Sequence, residues 1–450
     1  MAVGEVRAVA LSMTRSRWSV VEAGLAAAAF VVLCVVVMRA SPYLPEPDDV
    51  AYRASILAMT HGHFFTLSGA QAQALAQQVA PRSGLVGPGG GPIQWVQLAS
   101  GRWISEKDPG YPYLAVVFQT LGIIRGAPLF FGALACLGLY FGARRWLGRF
   151  GGAAAVGLYC SSGAAMEFAW RDYMPTFTDA SLIAAGTGAL LWALLATEAS
   201  TKRRTWAGLA GFVALEAATS ARYTNIVILG VAVVAVVAVL VAWRLPAARL
   251  QRSTVVWWLA SVCVFLAGIA TFDTLVYGGP LRSGYRPGEI TFTLSAVSAN
   301  LRLMPTHLIQ AMPMLVLGLA TLPAIVLVWL RARRVGGERA ATARRDLAVG
   351  LALGACWAAI WGLYATYTWT TFPGLSTLQS ARFYVPALGP IALLGAWLLV
   401  RLPRKQPLAA MIVLVTVGTL FWLGAEAFHD MYHSPWVDPQ ISHQVRTFHT

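Results

Sequence analysis

The feature that most constrains the fold of this chain is a succession of apolar runs, each long enough to cross a lipid bilayer. A helix needs roughly 20 apolar residues to span a hydrocarbon core about 30 Å thick. The runs cover approximately residues 20–38, 127–142, 150–168, 177–198, 206–220, 224–243, 255–277, 308–330, 347–366, 385–401 and 408–425. We therefore predict an all-α polytopic membrane protein with about eleven transmembrane helices.

The composition agrees with this class of protein. Of the 450 residues, 57% are hydrophobic and only 12% are charged, which is about half of the charged fraction that is usual in soluble domains. The formal net charge is +15, but the basic residues fall in short clusters between the apolar runs. Such clusters are typical of membrane topology determinants. The charge therefore does not indicate a nucleic-acid partner.

The links between the apolar runs are of two kinds that alternate along the chain. One kind is short and basic, and the bias of Lys and Arg in membrane proteins assigns it to the cytoplasmic side. The other kind is longer and carries acids and aromatic residues, and we predict that it faces outwards. The basic links contain Arg144 and Arg145, Lys202 to Arg204, Arg244 with Arg249 and Arg252, Arg331 to Arg345, and Arg401 with Arg404 and Lys405.

The first outward link, residues 41–125, is predicted to form the first extracytoplasmic loop and to contain interfacial helices. Its segment 111–124 is apolar, but counting this segment as a span would place Arg144 and Arg145 on the outer side. We therefore predict a helix that lies in the membrane interface. Residues 1–450 are expected to form a single transmembrane domain, with no large soluble domain after the last span.

Ionisable residues gather in this first outward link, and such residues next to the membrane mark functional sites. Pro47 followed by Asp48 and Asp49 predicts the start of an amphipathic helix. At helical spacing Asp48 lies over Tyr52, and Asp49 lies over Arg53. A structural role stays open, because aspartates also cap helix N-termini. Two adjacent carboxylates exceed what a cap requires, so they are predicted to deprotonate an acceptor hydroxyl or to bind a divalent cation.

A second charged run, Glu106-Lys107-Asp108, stands just before the interfacial segment. A solvated surface run is one interpretation of it. The flanking residues Trp103 and Tyr111 are aromatic, however, and aromatic residues are enriched at the membrane interface. An ammonium group at this depth suits the phosphate of a membrane-embedded donor. We predict that Lys107 binds such a phosphate and that Glu106 and Asp108 contact the substrate.

Later outward links add further charges. Arg222 and Arg382 each lie at the outer end of a span beside aromatic residues. They either reach to the interface as long basic side chains do, or complete a cationic site for the phosphate. Asp172 and Asp179 bracket another outward turn, where Asp179 also suits the cap of the next helix. These two acids, together with Tyr52, Arg53 and Tyr384, are predicted to contact the substrate.

The order and sidedness of these segments resemble the C-type membrane glycosyltransferases, which include lipid A aminoarabinose transferases, protein O-mannosyltransferases and mycobacterial arabinosyltransferases. The resemblance extends over roughly residues 18–400. In the aminoarabinose branch an arginine follows the first acid by three positions, whereas this chain has Ala51 there and Arg53 nearby. The matching segments are Pro47-Asp48-Asp49 with Tyr52, Glu106-Lys107, Asp179, Ala221-Arg222-Tyr223 and Arg382-Phe383-Tyr384.

The resemblance implies residue roles as well as a fold. In that family an acid of the first loop acts as base towards the acceptor, and this role falls on Asp48. A lysine contacts the donor phosphate, which corresponds to Lys107, and a later arginine assists it, for which Arg382 is the best match. Asp179 corresponds to the second outer acid of the family.

Residues and resemblance together predict the inverting transfer of a glycosyl group from a polyprenyl-phosphate sugar to an extracytoplasmic glycan, lipid or protein acceptor. Asp48 and Asp49 are the predicted catalytic residues, and Lys107, Arg222 and Arg382 are the predicted phosphate ligands. The sequence identifies no cofactor, although a divalent metal at Asp48 and Asp49 is one option. Membrane lipids are the other expected partners, and the expected location is the plasma (inner) membrane of a bacterium, with the site on the extracytoplasmic side.

Two other functions stay open. A transporter or flippase of a lipid-linked substrate would need ionisable residues within the spans, for which Glu216 and Asp273 are the candidates. The chain has no visible inverted repeat of the kind that many transporters contain. A membrane acyltransferase or phosphotransferase would need a site built around a histidine, and His307 has no obvious companion for such a site.

Overall fold

The structure is a computed structural model, and it describes residues 2–40, 47–79, 86–241, 252–280, 282–285, 288–371, 377–401 and 406–433. Within these residues the chain is mostly helical, and the only named strands are β1 (Trp95–Gln97) and β2 (Trp103–Ser105). The helices are α1 (Ala2–Arg39), α2 (Pro47–Thr60), α3 (Gly69–Val79), α4 (Gly110–Thr120), α5 (Gly126–Leu147), α6 (Gly151–Cys160), α7 (Gly163–Trp170), α8 (Thr176–Leu195), α9 (Thr201–Ala221), α10 (Ile226–Val241), α11 (Arg252–Tyr277), α12 (Ser295–Ala311), α13 (Leu315–Val335), α14 (Gly337–Ala365), α15 (Thr377–Ala381), α16 (Leu388–Arg401) and α17 (Gln406–Tyr432).

The chain is a multi-pass membrane protein, as the sequence predicts. Seven of the described helices are long and apolar enough to cross a membrane, namely α1 from Trp18 onwards, α5, α8, α11, α13, α14 and α17. The helices α6, α10 and α16 are apolar but shorter. Every predicted apolar run falls on a helix or on two consecutive helices. The number of eleven spans stays a prediction.

Two of the predicted runs are not single helices. The run 150–168 is divided between α6 and α7, because Ser162 has an extended backbone and its hydroxyl accepts a hydrogen bond from Ala165 N at 3.0 Å. This contact caps the start of α7. The run 308–330 is interrupted between α12 and α13, where Met312 is non-helical in front of Pro313. A residue before proline avoids the helical conformation.

Glycine allows the central helices to approach each other closely. α8 packs against α5 on one side and against α9 on the other. A Cβ atom at Gly188 of α8 would lie 2.2 Å from the carbonyl carbon of Gly138 in α5. A Cβ atom at Gly186 would lie 2.7 Å from the carbonyl oxygen of Gly211 in α9. Such contacts through small residues are characteristic of helix packing in membranes.

The described part of the first outward link folds onto the end of this bundle. β1 and β2 pair in antiparallel register, with Trp95 opposite Ser105. α2 packs beside α4, where the rings of Tyr52 and Tyr111 meet edge to face at 5.9 Å. The other side of α4 is exposed at Val117. The predicted helices of this link are therefore present, and α4 has one buried and one exposed apolar face.

The described residues of the basic links and of the first outward link occupy opposite ends of the bundle. α9 begins beside Lys202 and ends where Gly110 of α4 approaches it, since a Cβ at Gly110 would lie 2.2 Å from Ser220 Oγ. At the basic end, Asp346 near the start of α14 lies 3.5 Å from Arg401 Nε. The alternation predicted from the charges therefore corresponds to two distinct ends of the molecule.

Candidate active site

A cavity of about 420 Å³ opens at the end of the bundle that carries the first outward link. Its volume is in the range of pockets that bind small molecules. Segments that are distant in sequence form its wall: the first turn of α2, the loop between β2 and α4, the turn after α9, and the residues before α16. The charged residues that line it are Asp48, Lys107, Asp108, Arg222, Glu289 and Arg382.

Asp48 and Lys107 form the central ion pair of the cavity. Lys107 Nζ lies 3.0 Å from one carboxylate oxygen of Asp48, and Arg382 Nη2 lies 3.7 Å from the other oxygen. Gln94 Nε2 also donates a hydrogen bond to Asp48 at 2.8 Å. Burial alone would raise the pKa of Asp48, but the two cations and this hydrogen bond keep that pKa well below its usual range. Asp48 is therefore ionised at neutral pH.

Gln94 is held in an unusual backbone conformation by the hairpin. Its φ angle is 58°, in the left-handed region that few residues other than glycine adopt. Its carbonyl oxygen accepts a hydrogen bond from Glu106 N at 3.0 Å. Backbone strain of this kind persists where surrounding contacts enforce it, often at functional sites. The hairpin thus directs the amide of Gln94 at Asp48.

Two further acids beside Lys107 are poised to titrate near neutrality. Glu106 is buried with one oxygen 3.6 Å from Lys107 Nζ, and burial raises its pKa to about 7 against the opposing effect of Lys107. Burial also raises the pKa of Asp108 to about 7, although Asp108 accepts a hydrogen bond from Tyr223 N at 3.0 Å. The charge of the site therefore changes over the physiological pH range.

The side chain of Arg222 is held in place by residues of the first turn of α8. Its Nε lies 3.1 Å from Asp179, and its Nη2 donates to Thr176 Oγ1 at 2.6 Å. Its Nη1 donates to the carbonyl oxygen of Arg382 at 3.1 Å. Asp179, itself buried, thus orients Arg222 and does not line the cavity. Arg222 faces the cavity in a fixed geometry and is tied to the segment that carries Arg382.

Asp49 is adjacent to Asp48 in sequence but faces a different partner. It forms a buried ion pair with Arg171, whose Nη1 lies 3.7 Å from Glu167. All three side chains are inaccessible to solvent. Asp49 therefore anchors the first turn of α2 to the end of α7.

The other predicted residues divide into those at the cavity and those away from it. Tyr52 lines the cavity. Like Asp49, Glu106 and Asp179, the remaining three residues do not line it. Arg53 lies 5.9 Å from the ring centroid of Tyr173, and Asp172 lies 3.9 Å from Arg125 Nε. Tyr384 is buried, with its ring centroid 6.0 Å from that of Tyr364.

The two aspartates of α2, at which a divalent metal is one predicted option, face different partners. Asp48 faces Lys107 and Arg382, whereas Asp49 faces Arg171. Within the described residues there is also no group of three or more His, Cys, Asp or Glu side chains arranged to bind a metal. Divalent cations such as Mg²⁺ and Ca²⁺ need several convergent oxygen ligands. The predicted metal gains no support from this arrangement.

Glu216 and Asp273, the candidates for a transport pathway, both accept hydrogen bonds from neighbouring helices or turns. Ser261 Oγ donates to Glu216 at 2.9 Å, and Tyr223 OH donates to Asp273 at 3.3 Å. Neither acid lines the large cavity. Both are accounted for as interhelical contacts, which is a common use of polar residues in membranes.

The sequence analysis missed several residues of the site. Tyr285 OH lies 3.2 Å from Lys107 Nζ, and its ring centroid lies 4.9 Å from the same atom. The preceding Gly284 permits this approach, since a Cβ there would lie 2.4 Å from Glu106 Cα. Gln94 and Arg171 were missed as well. Nothing in their local sequence distinguishes them, because their roles depend on contacts with distant segments.

Comparison with solved structures shows that the fold of this helical bundle is a known one. Among solved structures, ArnT from Cupriavidus metallidurans bound to undecaprenyl phosphate is similar to this chain, with a TM-score of 0.50 and 16% identity, covering 90% of this chain and 63% of that one. ArnT in the apo state gives a TM-score of 0.47 with the same identity and coverage, 16%, 90% and 63%. The apo oligosaccharyltransferase of Archaeoglobus fulgidus gives 0.47 at 11% identity, covering 90% of this chain and 56% of that one.

The predicted resemblance is thus confirmed at the level of the fold. This chain spans 63% and 56% of the lengths of the proteins that it matches. Neither protein-family models nor curated protein sequences give a match to it.

We expect the replacement of Arg171 by Met to destabilise the protein strongly, because Asp49 and Glu167 would be left buried without their cation. Breaking a buried ion pair in this way costs about 3–5 kcal/mol. Arg145→Met is the matched control, since its partner Glu198 is 65% exposed, and exposed pairs contribute about 0–1 kcal/mol. Thermal unfolding in detergent measures both variants. Equal melting temperatures would contradict the anchoring role of Arg171.

Proposed function

We propose that this protein transfers a glycosyl group from a polyprenyl-phosphate sugar to an acceptor hydroxyl group. The observation that carries the proposal is the cluster in which Lys107 and Arg382 share the Asp48 carboxylate at the cavity wall. Two cations that bind a carboxylate in this way are also suited to a phosphate group. ArnT, whose fold is similar, has been crystallised with undecaprenyl phosphate.

The charges at the two ends of the bundle support a proposal for the side of the membrane on which the cavity opens. The end opposite the cavity carries the clusters of Arg and Lys, which favour the cytoplasm. The cavity would then open on the extracytoplasmic side of the plasma membrane. A donor embedded in the outer leaflet would present its phosphate at the level of Lys107.

Donor binding would itself activate the base. The phosphate would compete with Asp48 for Lys107 and Arg382. The two cations would then be shared between the phosphate and the Asp48 carboxylate, so each would stabilise the carboxylate less. The pKa of Asp48 would therefore rise towards its ordinary value, and the carboxylate would become a better proton acceptor. Asp48 would thus be a stronger base when the donor is present than when it is absent.

The reaction is a single displacement at the anomeric carbon of the donor sugar. The acceptor oxygen forms a bond to this carbon while its proton passes to Asp48. The bond from the carbon to the phosphate oxygen breaks, and the polyprenyl phosphate leaves with the electron pair. Attack opposite to the leaving phosphate inverts the configuration. Lys107, Arg222 and Arg382 would stabilise the charge that develops on the phosphate.

The remaining acids support this chemistry in different ways. We assign substrate contacts to Tyr52 and Asp108, which line the cavity. Glu106 tunes the charge beside Lys107, and Asp49 fixes the first turn of α2 through Arg171. We propose no substrate contact for Arg53, Asp172 or Tyr384, which do not line the cavity.

We expect Asp48→Asn to abolish transfer and yet to bind the donor at least as tightly as the wild type. Asparagine cannot accept the proton, and losing a positioned base costs about 100-fold or more in rate. Asparagine also no longer competes with the phosphate for Lys107. The assay uses protein in lipid nanodiscs and a panel of undecaprenyl- and decaprenyl-phosphate sugars, with release of polyprenyl phosphate as the measurement.

Two further variants complete this experiment. Lys107→Met should weaken the binding of undecaprenyl phosphate, because it removes the central cation. Glu198→Gln, at an exposed acid far from the cavity, should match the wild type in both assays. Full transfer activity in Asp48→Asn would remove the proposed base. An unchanged affinity in Lys107→Met would remove the proposed phosphate site.

We expect binding of a polyprenyl phosphodiester to weaken as the pH rises through about 7, where Glu106 and Asp108 titrate. Below this pH both acids are neutral, and above it they add negative charge beside Lys107 and Arg222. An undecaprenyl methyl phosphodiester is a suitable probe, because its single charge is constant over this range. Calorimetric titration gives the affinity at each pH. The double variant Glu106→Gln, Asp108→Asn should flatten the profile, and a flat profile in the wild type would contradict this account.

A further inference from the structure

Two loop segments form a rim at the mouth of the cavity and are hydrogen-bonded to each other. Thr293 N donates to the carbonyl oxygen of Thr366 at 2.7 Å, and Thr368 N donates to that of Thr291 at 3.2 Å. We call residues 289–293 and 366–369 the aromatic rim. The pairing makes these two segments a single unit although they are far apart in sequence.

The aromatic rim presents several rings to the cavity. Phe292 and Tyr367 pair across the two segments, with stacked rings whose centroids lie 5.0 Å apart. Trp369 Nε1 donates to the carbonyl oxygen of Glu289 at 3.2 Å, which ties its ring to the opposite segment. The cavity is lined by all four of these residues, Glu289, Phe292, Tyr367 and Trp369. Phe292 is 41% exposed and Trp369 is 39% exposed, so their rings are accessible to a ligand.

The rings continue from the aromatic rim to the charged cluster. The centroids of Tyr367 and Phe383 lie 5.1 Å apart. The guanidinium group of Arg382 lies 4.8 Å from the ring centroid of Phe383, and Arg382 contacts Asp48. Aromatic rings therefore line the cavity both beside the ion pair, at Phe383, and at the rim, at Phe292, Tyr367 and Trp369.

The chemistry of this wall suits a carbohydrate. The faces of aromatic rings carry partial negative charge, which attracts the polarised C–H groups on one face of a sugar ring. Carboxylates accept hydrogen bonds from hydroxyl groups, and Glu289 supplies one among the rings. Rings together with a carboxylate favour an occupant that is apolar on its faces and rich in hydroxyl groups at its edges.

We propose that the aromatic rim is an acceptor subsite for a carbohydrate chain, so that the acceptor of the transfer reaction is a glycan. This inference rests on the proposed function and deepens it. The terminal hydroxyl group of the glycan would reach Asp48, while the preceding sugar residues stack on Tyr367, Phe292 and Trp369. The rim would then select the acceptor, and the charged cluster would select the donor.

The test measures the binding of labelled oligosaccharides and of undecaprenyl phosphate to the same purified variants. A panel of linear di- to hexasaccharides of furanose and pyranose sugars is screened with the wild type, and affinities of the binders are measured by fluorescence anisotropy. Trp369→Ala should weaken oligosaccharide binding about tenfold, as expected for one lost stacking partner. Trp369→Phe should restore most of it. Undecaprenyl phosphate should bind both variants with the affinity of the wild type.

The matched control is Trp257→Ala, which removes an equally large ring from α11 that is 67% exposed and does not line the cavity. This variant should bind oligosaccharides as the wild type does. Comparison of its melting temperature with that of Trp369→Ala separates loss of binding from loss of folding.

Three results would overturn the proposal. The first is that no oligosaccharide of the panel binds in a manner that depends on Trp369. The second is that Trp257→Ala weakens oligosaccharide binding as much as Trp369→Ala does. The third is that Trp369→Ala weakens the binding of undecaprenyl phosphate, which would make the rim a site for the lipid chain. Failure of the proposed function looks different. In that case Lys107→Met leaves undecaprenyl phosphate binding unchanged while oligosaccharide binding still depends on Trp369.

Discussion

The ion pair between Asp48 and Lys107 is the interaction on which the rest of the site depends. A carboxylate and an ammonium group removed from water need close partners to compensate for lost solvation. Here Arg382 and Gln94 supply them, from segments far apart in the chain. The site therefore forms only when the first outward link docks on the ends of the helices. The same arrangement favours an anionic ligand, because a negative group that replaces Asp48 keeps the charge beside Lys107 and Arg382 balanced.

Helix ends and loops contribute different parts of the site. The central helices approach through glycines such as Gly188, and their ends carry Asp179 and Arg222 in fixed geometry. The aromatic rim, by contrast, is built from two loop segments that are hydrogen-bonded to each other at the mouth of the cavity. Loops on a rigid scaffold are where binding specificity usually resides. In the proposed function, the residues at the helix ends bind the donor, and the loops of the aromatic rim select the acceptor.

Hydropathy is a local property, and it predicts the helices well because each apolar run specifies its own helix. It does not reveal the breaks at Ser162 and before Pro313, since an apolar run has the same hydropathy whether it is one helix or two. The alternation between basic links and longer outward links likewise predicts that four residues lie at one end of the bundle, namely Asp48, Lys107, Arg222 and Arg382.

The finer geometry of the site depends on contacts that sequence does not display. Consecutive residues on a helix differ by about 100° in direction, so Asp49 faces Arg171 while Asp48 faces Lys107. Tyr285 and Gln94 reach the site only because tertiary contacts hold their loops in place.

The central claim, that a donor phosphate displaces Asp48 from its cations, is tested most directly by an experimental structure of the protein with undecaprenyl phosphate. We predict a phosphate in hydrogen-bonding contact with both Lys107 and Arg382, and an Asp48 carboxylate that no longer contacts Lys107. A phosphate bound elsewhere, with the Asp48–Lys107 pair intact, would contradict the account.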